Sequence, residues 1–233
     1  MGARVTVVAD PQEWAAPADG GIAVRVLGVV LAAGNSTRLG RPKALVEWGG
    51  QTFLDRVLAA FEGGGAREVC VVTGGAHCRA IEGAVTAREH RVPVRVAYNL
   101  APESGPMGSL RVAAAHGEAA DTALLVHPVD IPGITAADVS TVIETSLRAT
   151  PVDAVIPSFA GRRAHPVWLA PALVARLGRY DPSITLRDIL RDPTTQIAYA
   201  VVANGLLLRD VDTPEDLAWL ESQAPRGPGV FDP

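Results

Sequence analysis

Two cations at a fixed spacing, Arg38 and Lys43, follow a loop of small and hydroxyl residues, Gly34-Asn35-Ser36-Thr37. The loop breaks off a continuous apolar run, Val29-Val30-Leu31-Ala32-Ala33. That combination suits a polyphosphate. Small residues let backbone N–H groups approach phosphate oxygens closely, and the cations neutralise charge that backbone dipoles alone cannot. The order of residues is not that of a Walker A loop, which ends in Gly-Lys-Ser/Thr, nor of a GxGxxG fingerprint. Taken singly, a Gly/Ser/Thr loop after a strand is ordinary and loop cations are solvated; the whole string together points to phosphate.

Further polar groups fall where other apolar runs end. Asn99 is followed by Glu103-Ser104-Gly105-Pro106-Met107-Gly108-Ser109-Leu110, a Gly-rich turn opening a helix. Its N–H groups suit a phosphate, a ribose or a base edge. Pro128-Val129-Asp130-Ile131-Pro132 places a carboxylate between prolines. This is a fitting Mg²⁺ ligand, because Mg²⁺ takes one or two carboxylates plus substrate phosphates; the competing reading is an Asp that shapes a Pro-rich turn. His127 has no Cys or His at metal spacing and reads as a structural histidine, packed or exposed. Asp212, before Thr213-Pro214, would cap the last helix, a role compatible with metal ligation. Gly161-Arg162-Arg163-Ala164-His165-Pro166 could bind an anionic acceptor or form a solvated hairpin tip.

Strand-like and helix-like segments alternate from Val26 onwards, and this alternation must position those groups. Strands are expected at Val26–Leu31, Glu68–Thr73, Pro93–Tyr98, Thr122–His127, Ala154–Pro157, Pro166–Leu169, Ile197–Val202 and Leu206–Val211. Helical spacing falls between them, with Thr135 and Asp138 forming a capping box. The expectation is an α/β fold: a single-domain three-layer α/β/α arrangement, Rossmann-like, on a mostly parallel sheet. In such sheets ligands bind beyond the carboxyl ends of the strands. Residues 1–24 read as an N-terminal extension with a possible short strand at Val5–Val8, residues 25–222 as the domain, and residues 223–233 as a flexible tail.

Composition narrows the function classes. A net charge of -4 with no basic run disfavours nucleic acid as the main partner. No segment approaches the roughly 20 apolar residues of a membrane span. Acidic residues interrupt the N-terminal stretch, so no signal peptide is expected. Cys70 and Cys78 are too far apart for a CxxC motif, and Cys70 reads as a buried free thiol. The chain reads as cytoplasmic.

Leu31–Lys43, Asn99 with Gly105–Leu110, Asp130–Pro132, Gly161–Pro166 and Asp210–Leu217 occur in this order. Together they resemble the MobA-like NTP transferases, a family of the nucleotide-diphospho-sugar transferase fold type. The resemblance is to the branch with molybdenum cofactor cytidylyltransferases, whose pattern begins LAAGxSxRxGxxK. It spans all but the first ~25 and last ~12 residues, judged by where the repeating pattern stops. Two positions depart from the pattern: Ala164 stands for a Gly before His-Pro, and Gly108 for a Ser.

The resemblance implies transfer of a nucleoside monophosphate, CMP from CTP, to a phosphorylated acceptor of the molybdopterin type, with molybdoenzymes as possible partners. Arg38 and Lys43 would be catalytic. Leu31, Ala32, Ala33, Gly34, Ser36, Asn99, Gly108 and Ser109 would bind nucleotide. Asp130 and Asp212 would hold Mg²⁺, and Arg162 and His165 would bind the acceptor. Ala32-Ala33, where other branches have a Gly, goes with cytosine. The alternatives are a sugar-phosphate or polyol-phosphate nucleotidyltransferase and a non-catalytic nucleotide-binding maturation factor.

Overall fold

A computed structural model describes residues 5–8, 24–34, 39–116, 121–149 and 151–223. The first long strand, β2 (Arg25–Ala32), follows a short one, β1 (Val5–Val8). A small hairpin, β3 (Glu47–Trp48) and β4 (Gln51–Thr52), leads into α1 (Phe53–Gly64). Then come β5 (Glu68–Gly74), α2 (Cys78–Thr86), β6 (Val94–Asn99), α3 (Gly105–His116), β7 (Thr122–Pro128) and α4 (Ala136–Arg148). The last part holds β8 (Ala154–Phe159), β9 (Arg162–Arg163), β10 (Val167–Leu169), α5 (Pro171–Val174), α6 (Leu186–Ile189), β11 (Ile197–Val201) and α7 (Pro214–Ser222).

The main sheet runs β1-β6-β5-β2-β7-β10-β8-β11, with β9 paired to β8. Its pairs are parallel except where β10 lies between β7 and β8 and where β9 returns along β8. Alternate residues of each strand face opposite sides, so near-continuous apolar runs bury both faces. Val26 and Val30 of β2 join the core beneath α1, α2, α4 and α7, whereas Leu27 and Val29 join the one beneath α3, α5 and α6. These are the three expected layers. Val5–Val8, read in the sequence within an extension, lies parallel to β6 at the sheet edge. Among the described residues no helix is long and apolar enough to cross a membrane.

Four helices begin with the same device. Thr52, Thr135, Thr185 and Thr213 each accept the N–H three residues on, and the Asp there bonds back to the Thr backbone. Each box satisfies two of the amides that a helix start leaves unpaired. At the other end of α1, a side chain on Gly64 would begin 2.3 Å from the Val139 Cβ and 2.8 Å from the Ala136 carbonyl of α4. Glycine is what lets these two helices touch.

One expected strand is absent. Leu206-Leu207-Leu208 forms a 3₁₀ turn, Gly205–Leu208, instead of a strand over Leu206–Val211. The Asn204 side chain accepts the Leu206 N–H at 3.1 Å and starts the turn, and Leu207 is buried beneath it.

Candidate functional site

Strand β2 has β5 on one side and β7 on the other, and the chain visits β5 and β6 before returning to β7. The strand order therefore reverses at β2, and a crevice opens beyond its carboxyl end. There lies a cavity of about 950 Å³, lined by Leu31, Ala32, Ala33, Gly34 and Lys43.

Lys43 opens a 3₁₀ turn, Lys43–Leu45, whose Ala44 is buried and anchors it. Its ammonium donates to the Asp130 carboxylate at 2.9 Å and also to that of Asp212. Burial disfavours the charged ammonium, but the attraction of Asp130 and the hydrogen bonds the ammonium donates to both carboxylates outweigh it and raise the Lys43 pKa. Lys43 is thus held as a cation between two acids from distant parts of the chain.

The backbone explains how these acids converge. The Val129 N–H donates to the Leu31 carbonyl at 3.1 Å, tying the segment after β7 to the end of β2. His127 Nε2 bonds the Ile131 carbonyl at 2.8 Å and closes the loop that carries Asp130. The Val211 N–H donates to the Asp130 carbonyl at 2.8 Å, so the residue before Asp212 is fastened to the other acid. His127 is fully buried, and burial pushes its pKa down to about 3, with neighbouring His165 adding to the effect. Of the two structural readings the sequence left open, packed or exposed, it is the packed one. Asp212 is not the helix cap. Thr213 takes that place, and the Asp212 N–H donates to the Asp216 carboxylate, which leaves the Asp212 side chain turned to Lys43.

Asn99 and Gly108 do not line the cavity. Asn99 is buried, donating to Ser109 Oγ at 3.1 Å and accepting the Ala101 N–H at 3.0 Å. It fixes the turn that presents Pro102–Gly105. A side chain on Gly108 would run into Ser104, with the Ser104 Cβ only 2.7 Å from its first atom. That contact accounts for the departure from Ser at this position. Ser109 does line the cavity. Ser36 and Arg38 lie outside the described residues.

In the Gly161–Pro166 segment, β8 turns into β9 through Ala160 and Gly161, both with positive φ. The register places Arg163 opposite Ser158 and Arg162 opposite Phe159. Neighbouring strand residues face opposite ways, and Arg163, His165 and Ala164 line the cavity while Arg162 does not. Of the two arginines, the one singled out in the sequence, Arg162, is not brought to the cavity and Arg163 is. The departure Ala164 is buried, and its N–H donates to the Pro157 carbonyl at 2.9 Å. His165 bonds the Val126 carbonyl, and burial lowers its pKa. The segment Pro182–Arg187 completes the far wall. The sequence reads Arg163 with Arg162 as two arginines that could bind an anion, and singles out only Arg162. The Pro182–Arg187 segment escapes that reading, and strand alternation is the signal that separates Arg163 from Arg162.

The donor set fits a divalent ion shared with a substrate. Asp130 and Asp212 offer hard oxygen ligands at one point, and among the described residues no three acids, histidines or cysteines form a closed cage. Mg²⁺ is bound in this way, completing its shell with phosphate and water.

The chain is 38% identical over 111 residues to a molybdenum cofactor guanylyltransferase of Xanthomonas euvesicatoria pv. vesicatoria, covering 47% of this chain and 49% of that protein. It therefore spans about half the length of that relative. It is 34% identical over 153 residues to nicotine blue oxidoreductase of Paenarthrobacter nicotinovorans, covering 64% of this chain and 72% of that protein. The solved structure of Rv0371c from Mycobacterium tuberculosis H37Rv superposes with a TM-score of 0.70 at 26% identity, covering 85% of this chain and 98% of that one. Residues 28–198, which carry the cavity loops from β2 to the start of β11, match the family model for the MobA-like NTP transferase domain, and the chain belongs to that family.

Proposed function

We propose that the protein is a nucleotidyltransferase that moves a nucleoside monophosphate from a nucleoside triphosphate to a phosphorylated acceptor of the molybdopterin type. The observation that carries this reading is Lys43, bonded to both Asp130 and Asp212 beside the Ala32–Gly34 loop in one cavity. An oxygen of the acceptor phosphate attacks the α-phosphorus. A new P–O bond forms, the bond to the β-phosphate breaks, and pyrophosphate leaves with the electron pair. The acceptor phosphate is already a nucleophile, so catalysis rests on alignment and charge neutralisation. Asp130 and Asp212 would hold Mg²⁺, which supplies positive charge to the triphosphate oxygens. Lys43, and Arg38 by its place in the motif, stabilise the charge that develops at the α-phosphoryl group.

CTP is the proposed donor. The Ala33 side chain is buried at the cavity wall, 3.5 Å from the position where a side chain on Gly74 would start. A methyl group there narrows the space for a base relative to Gly and favours the smaller pyrimidine. The relative named as a guanylyltransferase supports GTP instead. Pyrophosphate release with CTP, GTP and UTP, each against a panel of phosphorylated acceptors, decides between them. CTP is expected to be preferred about ten- to a hundredfold, the scale of one mismatched pocket contact. Equal or faster turnover with GTP removes the cytidylyl assignment, and release with no nucleotide removes transfer altogether.

A further inference from the structure

The far side of the cavity has a chemistry of its own. Its floor is apolar, built from Ile156, Val167 and Leu190. Its rim carries Arg163 and Arg187, while among the described residues the acids lining the cavity are Glu103, Asp130 and Asp212. Asp130 and Asp212 face Lys43, and Glu103 belongs to the turn beside Ala33. Arg163 has no carboxylate partner among the described residues; it is held by a phenol instead. Its Nε and Nη2 both donate to the Tyr199 hydroxyl, and its guanidinium carbon lies 5.4 Å from the centre of that ring. Nη1 makes a long contact of 3.5 Å to the Leu190 carbonyl. Tyr199 comes from the edge strand β11, in register with Ile156 of β8, and is 47% exposed. A half-exposed aromatic whose hydroxyl accepts twice from one guanidinium restrains a flexible side chain. The N–H groups left over are those suited to a phosphate oxygen.

We infer that Arg163, positioned by Tyr199, anchors the phosphate of an acceptor whose flat or apolar body rests on Ile156, Val167 and Leu190. This rests on the proposed function, with the nucleotide taken to lie on the Lys43 side of the cavity and the acceptor on the Arg163 side. The ligand class is a phosphate monoester carrying an apolar ring system. Arg163 is a binding residue, and Tyr199 acts through it.

The test uses the full chain with Mg²⁺ and a non-hydrolysable nucleotide analogue in place, titrated calorimetrically with 1-naphthyl phosphate and, separately, with 1-naphthol. Wild type is expected to bind the ester alongside the nucleotide. Arg163→Ala should weaken the ester about ten- to a hundredfold, the scale of one charge-assisted hydrogen bond, and leave 1-naphthol unchanged. Tyr199→Phe keeps the ring and loses the accepting oxygen; it should weaken the ester less, again without effect on 1-naphthol. Arg162→Ala should change neither. Unaltered ester binding by Arg163→Ala, or an equal loss in Arg162→Ala, overturns the anchor while nucleotide binding stands. Absence of saturable ester binding to wild type overturns the ligand class. Displacement of the nucleotide analogue by the ester overturns the division of the cavity, and with it both readings.

Discussion

Lys43 is the residue on which the two acids depend, since its ammonium is the shared partner of Asp130 and Asp212. Replacing it with alanine removes a charge stabiliser and leaves two carboxylates facing each other. Turnover of Lys43→Ala should fall by roughly 10²–10³, the magnitude for losing one transition-state donor. Asp130→Asn keeps the shape of its loop, because the Val211 and Val129 bonds use backbone atoms. Its activity should demand much more Mg²⁺ while its melting temperature changes little. A steady-state Mg²⁺ titration of both variants, with melting curves alongside, checks this. Wild-type turnover in a folded Lys43→Ala protein would contradict the chemistry proposed. The histidines differ from these residues in kind. His127 does its work from inside the core by holding the Ile131 carbonyl.

Helices α1 and α4 meet where Gly64 leaves room for Val139 and Ala136, and Ser140 Oγ donates to the Gly64 carbonyl at 3.1 Å. Gly64→Ala improves helix propensity by about 1 kcal/mol. The added methyl, however, overlaps a backbone oxygen and a β-branched side chain, and overpacking of this kind costs about 1–3 kcal/mol. Net destabilisation is expected, visible as a lower denaturant midpoint with an unchanged slope; a more stable Gly64→Ala protein would show that the helices can separate freely. Elements of this kind were largely legible in the sequence. Apolar runs such as Val29–Ala33 and Ala123–Val126 announce buried strands, and Thr135 with Asp138 announces a helix start. Leu206–Val211 misled because an apolar triplet carries no period, and the Asn204 cap decided for a turn. The antiparallel direction of β10 was not legible either, as three residues of strand look alike read either way. At the site, Asp130 follows the strand end expected for it, and Lys43 is found by its spacing from the Gly34 loop. Asp212 is located from a strand that is a turn in the fold, so its place is set by the Thr213 helix start instead. The choice between Arg162 and Arg163 depends on the parity set by a two-residue turn, which spacing alone does not reveal.

For the whole molecule, buried histidines set the response to acid. His127 is neutral in the fold, with a pKa near 3 against an ordinary 6.5. The unfolded chain therefore binds a proton in that interval that the folded chain does not. Stability from this source is complete above pH 6.5 and falls as the pH drops towards 3, by up to about 1.4 kcal/mol per pH unit for each proton. His165, also lowered by burial, acts with the same sign. Lys43 works at the other end of the scale. Its raised pKa means that its contribution persists through neutrality and is lost only as the pH climbs past its ordinary 10.5. Melting temperature followed from pH 7 to pH 4 should decline, and His127→Gln, which keeps an N–H for Ile131 but does not titrate, should flatten the decline. An identical slope in the variant would assign acid sensitivity to other groups.

The antiparallel strand β10 sits between β7, the last of the strands encoded before residue 131, and β8, beyond which lies β11, both encoded after residue 153. Everything that lines the cavity on the Lys43 side of this seam is encoded before residue 131, apart from Asp212. The apolar floor and the Arg163 rim are encoded almost wholly after residue 153. A gene with this layout can diverge in instalments: substitutions in its second half reshape one wall without disturbing the register of the strands that carry the other. Recombination near the seam would exchange the Arg163 wall as a block, together with Asp212, while the cavity loops encoded before residue 131 stay as they are.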